Sequence, residues 1–163
     1  ARLAGSGIDW VALRPTLVYG TGVKGNMAAL LALAAKPWPL PFGSLTARRS
    51  LLALENLAEA VAHVLAHPEP LRRPLIVCDP QPVTLPAIVT ALRRGLGRAP
   101  GLLPVPESLL AAGLRLAGKG EAAERLCGSL EASPAALTGL GWRPPLATQE
   151  GLERLARNSR SGG

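Results

Sequence analysis

Residues 10–26 read WVALRPTLVYGTGVKGN, an apolar, β-forming run that ends in three glycines and leads into a helix-like segment. A run this continuous suits a strand buried on both faces of a parallel sheet, where helices cover the two sides. Pro15 interrupts it: proline donates no ladder hydrogen bond, so the strand is expected to change character at Arg14-Pro15. Gly20, Gly22 and Gly25 spell GxGxxG, the pattern that cradles a dinucleotide phosphate at a helix amino terminus. That pattern also wants an acidic residue about 20 positions downstream to hold ribose hydroxyls. Here the next acid is Glu55, thirty positions past Gly25, and a proline-rich stretch stands where the second strand belongs. The glycines are therefore read as a turn at the carboxyl end of a parallel strand, which is still where α/β sheets bind ligands.

Working outward, Asn26 is the expected cap of a helix over 26–36, and Pro37, Pro39 and Pro41 force an extended segment up to Phe42-Gly43. A short strand is expected over 50–54, a helix over 55–67, a second buried strand over 74–78, and a helix capped by Thr84 that runs to Gly95. Residues 102–105 are a candidate third strand. Helices are expected over 106–117, 121–126, from Ser133-Pro134 to Leu140, and over 148–156, with 159–163 as a disordered tail. Strands separated by helices imply an α/β fold with parallel pairing. Two or three strands are too few for a complete doubly wound sheet, so the chain reads as part of something larger.

With 163 residues, 48% of them hydrophobic, the chain can bury a core. Its longest uncharged apolar run, residues 27–35, is far too short to cross a bilayer, and no secretory signal is legible; the expectation is a cytoplasmic protein without a membrane partner. Cys78 and Cys127 are isolated thiols with no metal-ligand spacing, expected as small core residues. The net charge of +7 raises nucleic-acid binding, but Arg48-Arg49, Arg72-Arg73 and Arg93-Arg94 fall in different predicted elements, and few aromatics are available for base stacking. No nucleic-acid partner is expected.

Three clusters carry possible chemistry. Glu55, Glu59, His63 and His67 fall within an arc of about 120° on a helix, which is either a metal-ligating face or the solvated side of an amphipathic helix. Arg48-Arg49 is either a phosphate-binding fork or a pair of loop cations. Asp9 and Asp79 stand apart from other acids in the sequence, and no acid-base or nucleophile arrangement is legible.

An ordered series of segments then carries a family likeness. Residues 7–22, GIDWVALRPTLVYGTG, resemble the "RPxxVYGpG" segment of the extended short-chain dehydrogenases, the NAD-dependent epimerase/dehydratase family typified by UDP-glucose 4-epimerase. Gly25-Asn26-Met27, Phe42-Gly43, Arg49-Ser50 with Glu55-Asn56-Leu57, residues 75–79, Pro82-Val83-Thr84-Leu85, Gly128-Ser129-Leu130 and Leu140-Gly141-Trp142-Arg143-Pro144 resemble further family segments in order. The branch resembled is the one associated with nucleotide-sugars of bacterial surface polysaccharides.

The resemblance implies the carboxyl-terminal half of such an enzyme. Residues 1–19 and 55–79 would be the residual part of the NAD-binding Rossmann domain, contributing its last two parallel strands. Residues 20–54 and 80–158 would form a smaller, mostly helical substrate lobe. Asn26 and Met27 would contact the diphosphate region, Phe42 the nucleoside, Arg49 the diphosphate, with Arg125 as a second arginine. Leu17 stands where typical epimerases have a sugar-contacting Asn, and Pro15 and Thr16 would lie beside the nicotinamide of NAD. The family's GxxGxxG and its catalytic YxxxK precede the segment where this chain begins, and no YxxxK occurs here. The expectation is a UDP-sugar-binding portion, inactive alone, of a protein that oxidises and re-reduces sugar C4; a homodimer is left open for the parent. A dehydratase or reductase of the same family, or a non-enzymatic scaffold relative, are the alternatives.

Overall fold

A computed structural model describes residues 7–22 and 24–161. The apolar run forms two strands, β1 (Val11–Pro15) and β2 (Leu17–Tyr19). The expected irregularity is a change of partner. β1 pairs in parallel with β5 (Arg73–Val77), from Val11 opposite Arg73 to Pro15 opposite Val77. β2 pairs in parallel with β4 (Leu51–Ala53), Leu17 opposite Leu51. Thr16 bridges the two, its amide donating to the Val77 carbonyl at 3.1 Å. Pro15 has no amide hydrogen to give, so the ladder breaks where the chemistry requires. The chain leaving β5 runs beside β4, where the Asp79 amide donates to Leu51 O at 2.8 Å.

The core lies on both faces of β4 alone; β1 ends exposed at Arg14 and Pro15, and β5 buries Leu75 and Val77 while Pro74 and Ile76 stay exposed, so the burial on both faces expected from the apolar run is not met along β1 and β5. Leu51 and Ala53 of β4 face one cluster with Tyr19, Met27, Ile88 and Leu152. Leu52 points the other way, to Val64, Leu75, Val77 and Trp142. α1 (Gly25–Ala34) follows the glycine turn, and α2 (Leu54–Leu65) leaves β4 directly. α3 (Leu85–Gly95) is capped by Thr84, whose hydroxyl accepts from the Ala87 amide at 3.3 Å, as expected from sequence. α4 (Glu107–Leu116) and α5 (Gly120–Cys127) pack as a hairpin; α6 (Ala135–Thr138) is a single turn. α7 (Thr148–Ser161) lies along α3.

Several expectations are corrected. Asn26 does not cap α1: the cap position is Lys24, and Asn26 sits inside the first turn. α2 stops at Leu65, because His67 precedes Pro68 and is disfavoured in helical conformation. Residues 102–105 form no strand; Leu102 makes a single bridge to Leu40, with Pro104 and Pro106 denying further ladder donors. Instead a two-residue strand β3 (Arg48–Arg49) pairs antiparallel with β6 (Val83–Thr84). Residues 159–161, expected in the tail, continue α7, while 162–163 and the expected first strand-domain residues 1–6 lie outside the described residues.

Candidate functional site

A cavity of about 330 Å³ opens on the face of β2 and β4 that carries the Tyr19 cluster. Leu17 and Tyr19 share that face by strand alternation; Tyr19 is buried in the core, while Leu17, 48% exposed, turns its side chain to the cavity. From α1, Asn26 and Met27 line the wall, followed by Leu30 and Leu33 at helical spacing. Because Asn26 caps nothing, its amide is free to face the cavity. Phe42 arrives on the proline loop, pinned by the Gly43 amide donating to Leu103 O at 2.9 Å and by the Leu40–Leu102 bridge. Leu51, Leu85 and Ile88 complete the floor, and α5 contributes Ala122, Arg125 and Leu126. All six residues expected to touch substrate, Leu17, Asn26, Met27, Phe42, Arg49 and Arg125, therefore line one cavity.

Arg49 reaches it from β3, which is held between β6 and the segment after α5. Leu130 N donates to Arg48 O at 2.8 Å, and Ser50 N to Leu130 O at 3.0 Å. The Arg49 guanidinium donates through Nη2 to the carbonyls of Arg125, Leu126 and Gly128, and its Nε is buried with no partner. Arg125 pairs with Glu121 one helical turn back, at 2.8 Å. The cavity lining carries these two cations, one neutral amide and no acid. An open apolar wall with a cationic end suits a ligand that joins a flat, weakly polar group to an anion, since arginine's planar fork matches phosphate oxygens.

Pro15 and Thr16 lie outside this lining, adjoining Leu17 at the carboxyl end of β1. The Pro15 ring is exposed, and the Thr16 hydroxyl is buried without a partner. Gly22 and Gly25 are left-handed, φ 75° and 62°, in open space. Their positive φ is what the turn requires of them.

A polar network behind the cavity escaped the sequence reading. Asp79, fully buried, accepts from Asn56 Nδ2 at 2.8 Å, the Ala53 amide at 3.2 Å and the Tyr19 hydroxyl at 3.2 Å. Asn56 also spans to Leu146, donating to its carbonyl at 2.8 Å and accepting from its amide at 3.0 Å. Burial, and next the Asp79 charge, push the Tyr19 phenol far above its ordinary pKa, so it stays protonated and is no acid-base group. The available signal was Asn56 itself, a polar residue in register with buried Ala60 and Val64 on the inner face of α2. The Glu55-Glu59-His63-His67 stripe is not drawn together: His63 Nε2 lies 3.1 Å from Leu140 O and His67 turns to the Glu69 backbone. Among the described residues no three His, Cys, Asp or Glu side chains are grouped to hold a metal. Cys78 is buried, its thiol pKa raised by burial, while Cys127 at the end of α5 is half-buried. No helix among the described residues is long and apolar enough to cross a membrane.

These features define an α/β protein with paired parallel strands and a cavity lined from β2, β4 and the helices packed on them. Residues 1–77 match the family described as "NAD dependent epimerase/dehydratase family". The chain is 36% identical over 154 residues to a UDP-glucose 4-epimerase of Vibrio cholerae, covering 93% of this chain and 47% of that protein. Over residues 1–77 the chain carries this family's pattern. The fold superposes on the UDP-glucose 4-epimerase of Thermus thermophilus solved in complex with NAD, with TM-score 0.63, 24% identity, and 96% of this chain against 48% of that one. The Thermotoga maritima UDP-glucose 4-epimerase solved with UDP-glucose gives TM-score 0.58 at 18% identity, over 95% and 47% of the two chains. The chain thus spans about half the length of the relatives it matches.

Proposed function

We propose that this chain is the nucleotide-sugar-binding half of an NAD-dependent sugar-nucleotide epimerase. The observation that carries the reading is the cavity: one apolar cleft, with Arg49 and Arg125 in its lining, bordered by all six residues that the family resemblance assigns to substrate. Phe42 and the α1 leucines take the base and ribose, while Arg49 and Arg125 neutralise the diphosphate. Asn26 adds a neutral hydrogen bond beside them. Leu17 meets the sugar with a hydrocarbon surface, and Pro15 and Thr16 hold the edge of the nicotinamide. NAD, when bound, supplies hydride acceptance and return at sugar C4.

The acid-base pair belongs to an amino-terminal half. The chain's single tyrosine, Tyr19, is buried, bonded to Asp79 and kept protonated, and no lysine stands four residues on. The isolated chain is therefore a binding unit without turnover. Titration calorimetry with UDP and uridine tests the binding claim: UDP is expected to bind more tightly than uridine. Equal affinities, or none, sink it. Incubating a protein that carries both halves with NAD and UDP-glucose or UDP-N-acetylglucosamine tests the reaction. Absence of the 4-epimer, with dehydrated or reduced product instead, assigns a different activity of the same family.

A further inference from the structure

Arg49 and Arg125 do not reach the cavity independently. The Arg49 Nη2 group donates to the carbonyls of Arg125, Leu126 and Gly128, at the carboxyl end of α5, where a helix leaves carbonyls without amide partners. Apart from its packing on α4 and the Leu126 contact with the core, α5 has no side-chain cap at its amino end, and Ala123 is its one buried residue. The helix that Arg49 holds by its backbone is the helix from which Arg125 projects. The Arg125 guanidinium is in turn engaged by Glu121, Nη2 to Oε2 at 2.8 Å, both side chains exposed. Glu121, Glu124 and Arg125 also line a shallow groove of their own, whereas no acid lines the cavity.

We propose that Glu121 sets the affinity of the cavity for phosphate-bearing ligands by holding Arg125 in an ion pair that an incoming phosphate must break, while Arg49 fixes the end of the helix that presents Arg125. Glu121 is a positioning residue and touches no ligand. The natural ligand's identity rests on the nucleotide-sugar reading; the mechanism rests on the two arginines alone. An exposed pair within one helix turn is weak. A phosphate, carrying more charge and several acceptor oxygens, displaces the carboxylate from the fork. Glu121 then remains close enough to repel the bound anion. Its effect is a moderate reduction in affinity, not a block.

The test is titration calorimetry on the full chain with inorganic pyrophosphate, UDP and uridine. Glu121→Gln keeps size and helix propensity, and circular dichroism checks that α-helix content is unchanged. This variant is expected to tighten pyrophosphate and UDP binding about two- to fivefold and to leave uridine unchanged. In an Arg125→Ala background the same substitution is expected to have no effect on pyrophosphate. Equal or weaker pyrophosphate binding by Glu121→Gln overturns the proposal, as does an equal gain without Arg125, or no pyrophosphate binding by the wild type. UDP binding no tighter than uridine counts against the nucleotide-sugar reading instead, and leaves the pyrophosphate comparison to decide the role of Glu121.

Discussion

Asp79 accepts from the Tyr19 hydroxyl, the Ala53 amide and the Asn56 side chain with no water-facing surface. Replacing it by alanine strands the buried Ala53 amide and one Asn56 Nδ2 hydrogen, while the Tyr19 hydroxyl keeps the Thr148 carbonyl at 3.1 Å. Asp79→Ala is expected to cost about 3 kcal/mol or more, because each buried unsatisfied donor costs about 1–3 kcal/mol; a urea midpoint shift smaller than that of an exposed control substitution refutes the assignment. Tyr19 makes a second, pH-dependent prediction. Its pKa is raised in the folded state, so its contribution is present below the ordinary tyrosine pKa of about 10 and is lost as pH climbs above it, when only the unfolded chain ionises. Urea midpoints measured from neutral to strongly alkaline pH are expected to fall, and Tyr19→Phe to flatten that fall. At the cavity, Arg49→Ala removes a charge-assisted phosphate contact of about 1.5–3 kcal/mol, so UDP binding is expected to weaken more than tenfold by calorimetry. The sequence made Arg49 legible because an arginine pair between a proline loop and a strand suits phosphate. It hid Asp79, since the partners of a buried carboxylate lie 23 and 60 residues away.

At the scale of elements, what was legible followed from period and punctuation. The unbroken apolar run gave parallel strands, though not strands buried on both faces, Pro15 marked the irregularity, and Thr84 marked the start of α3. What was not legible fell below those signals. β3 and β6 are two residues each, too short for any alternation, and exist because the segment after α5 clamps Arg48 to Ser50 through Leu130. The carboxyl end of α7 reads as polar tail, yet Leu152, Leu155 and Ala156 commit the helix to α3, and Arg160 donates to Leu96 O at 3.1 Å. The α3–α7 contact is tight at Gly95, where a Cβ would meet the Glu153 carbonyl and the Ala156 methyl. Gly95→Ala is expected to destabilise by about 1–3 kcal/mol through overpacking, against the usual helix gain from alanine. A thermal midpoint unchanged or raised by the substitution shows that the helices part without cost.

For the whole molecule, one face of the β1–β5 pair is open. Pro74 and Ile76 of β5 point away from the core, and Ile76 is 42% exposed beside exposed Arg14 of β1. On the proposed reading this face packs against an amino-terminal half. Ile76→Glu is expected to change this chain's stability by less than about 0.5 kcal/mol, as for a surface site, and to cost about 2 kcal/mol or more in a protein that carries both halves, where the carboxylate is buried. Equal urea shifts in the two contexts refute the placement. The partner change at Thr16 has a metric consequence for such a protein. Pro15 and Leu17, proposed against cofactor and sugar, are two peptide units apart, at most about 7.6 Å between α-carbons. The chain itself is then the ruler between hydride carrier and sugar, and no hinge stands between them. Inserting one residue after Thr16 would not merely lengthen that ruler; it would turn β2 over, presenting Val18 to the cavity and Tyr19 to the opposite core.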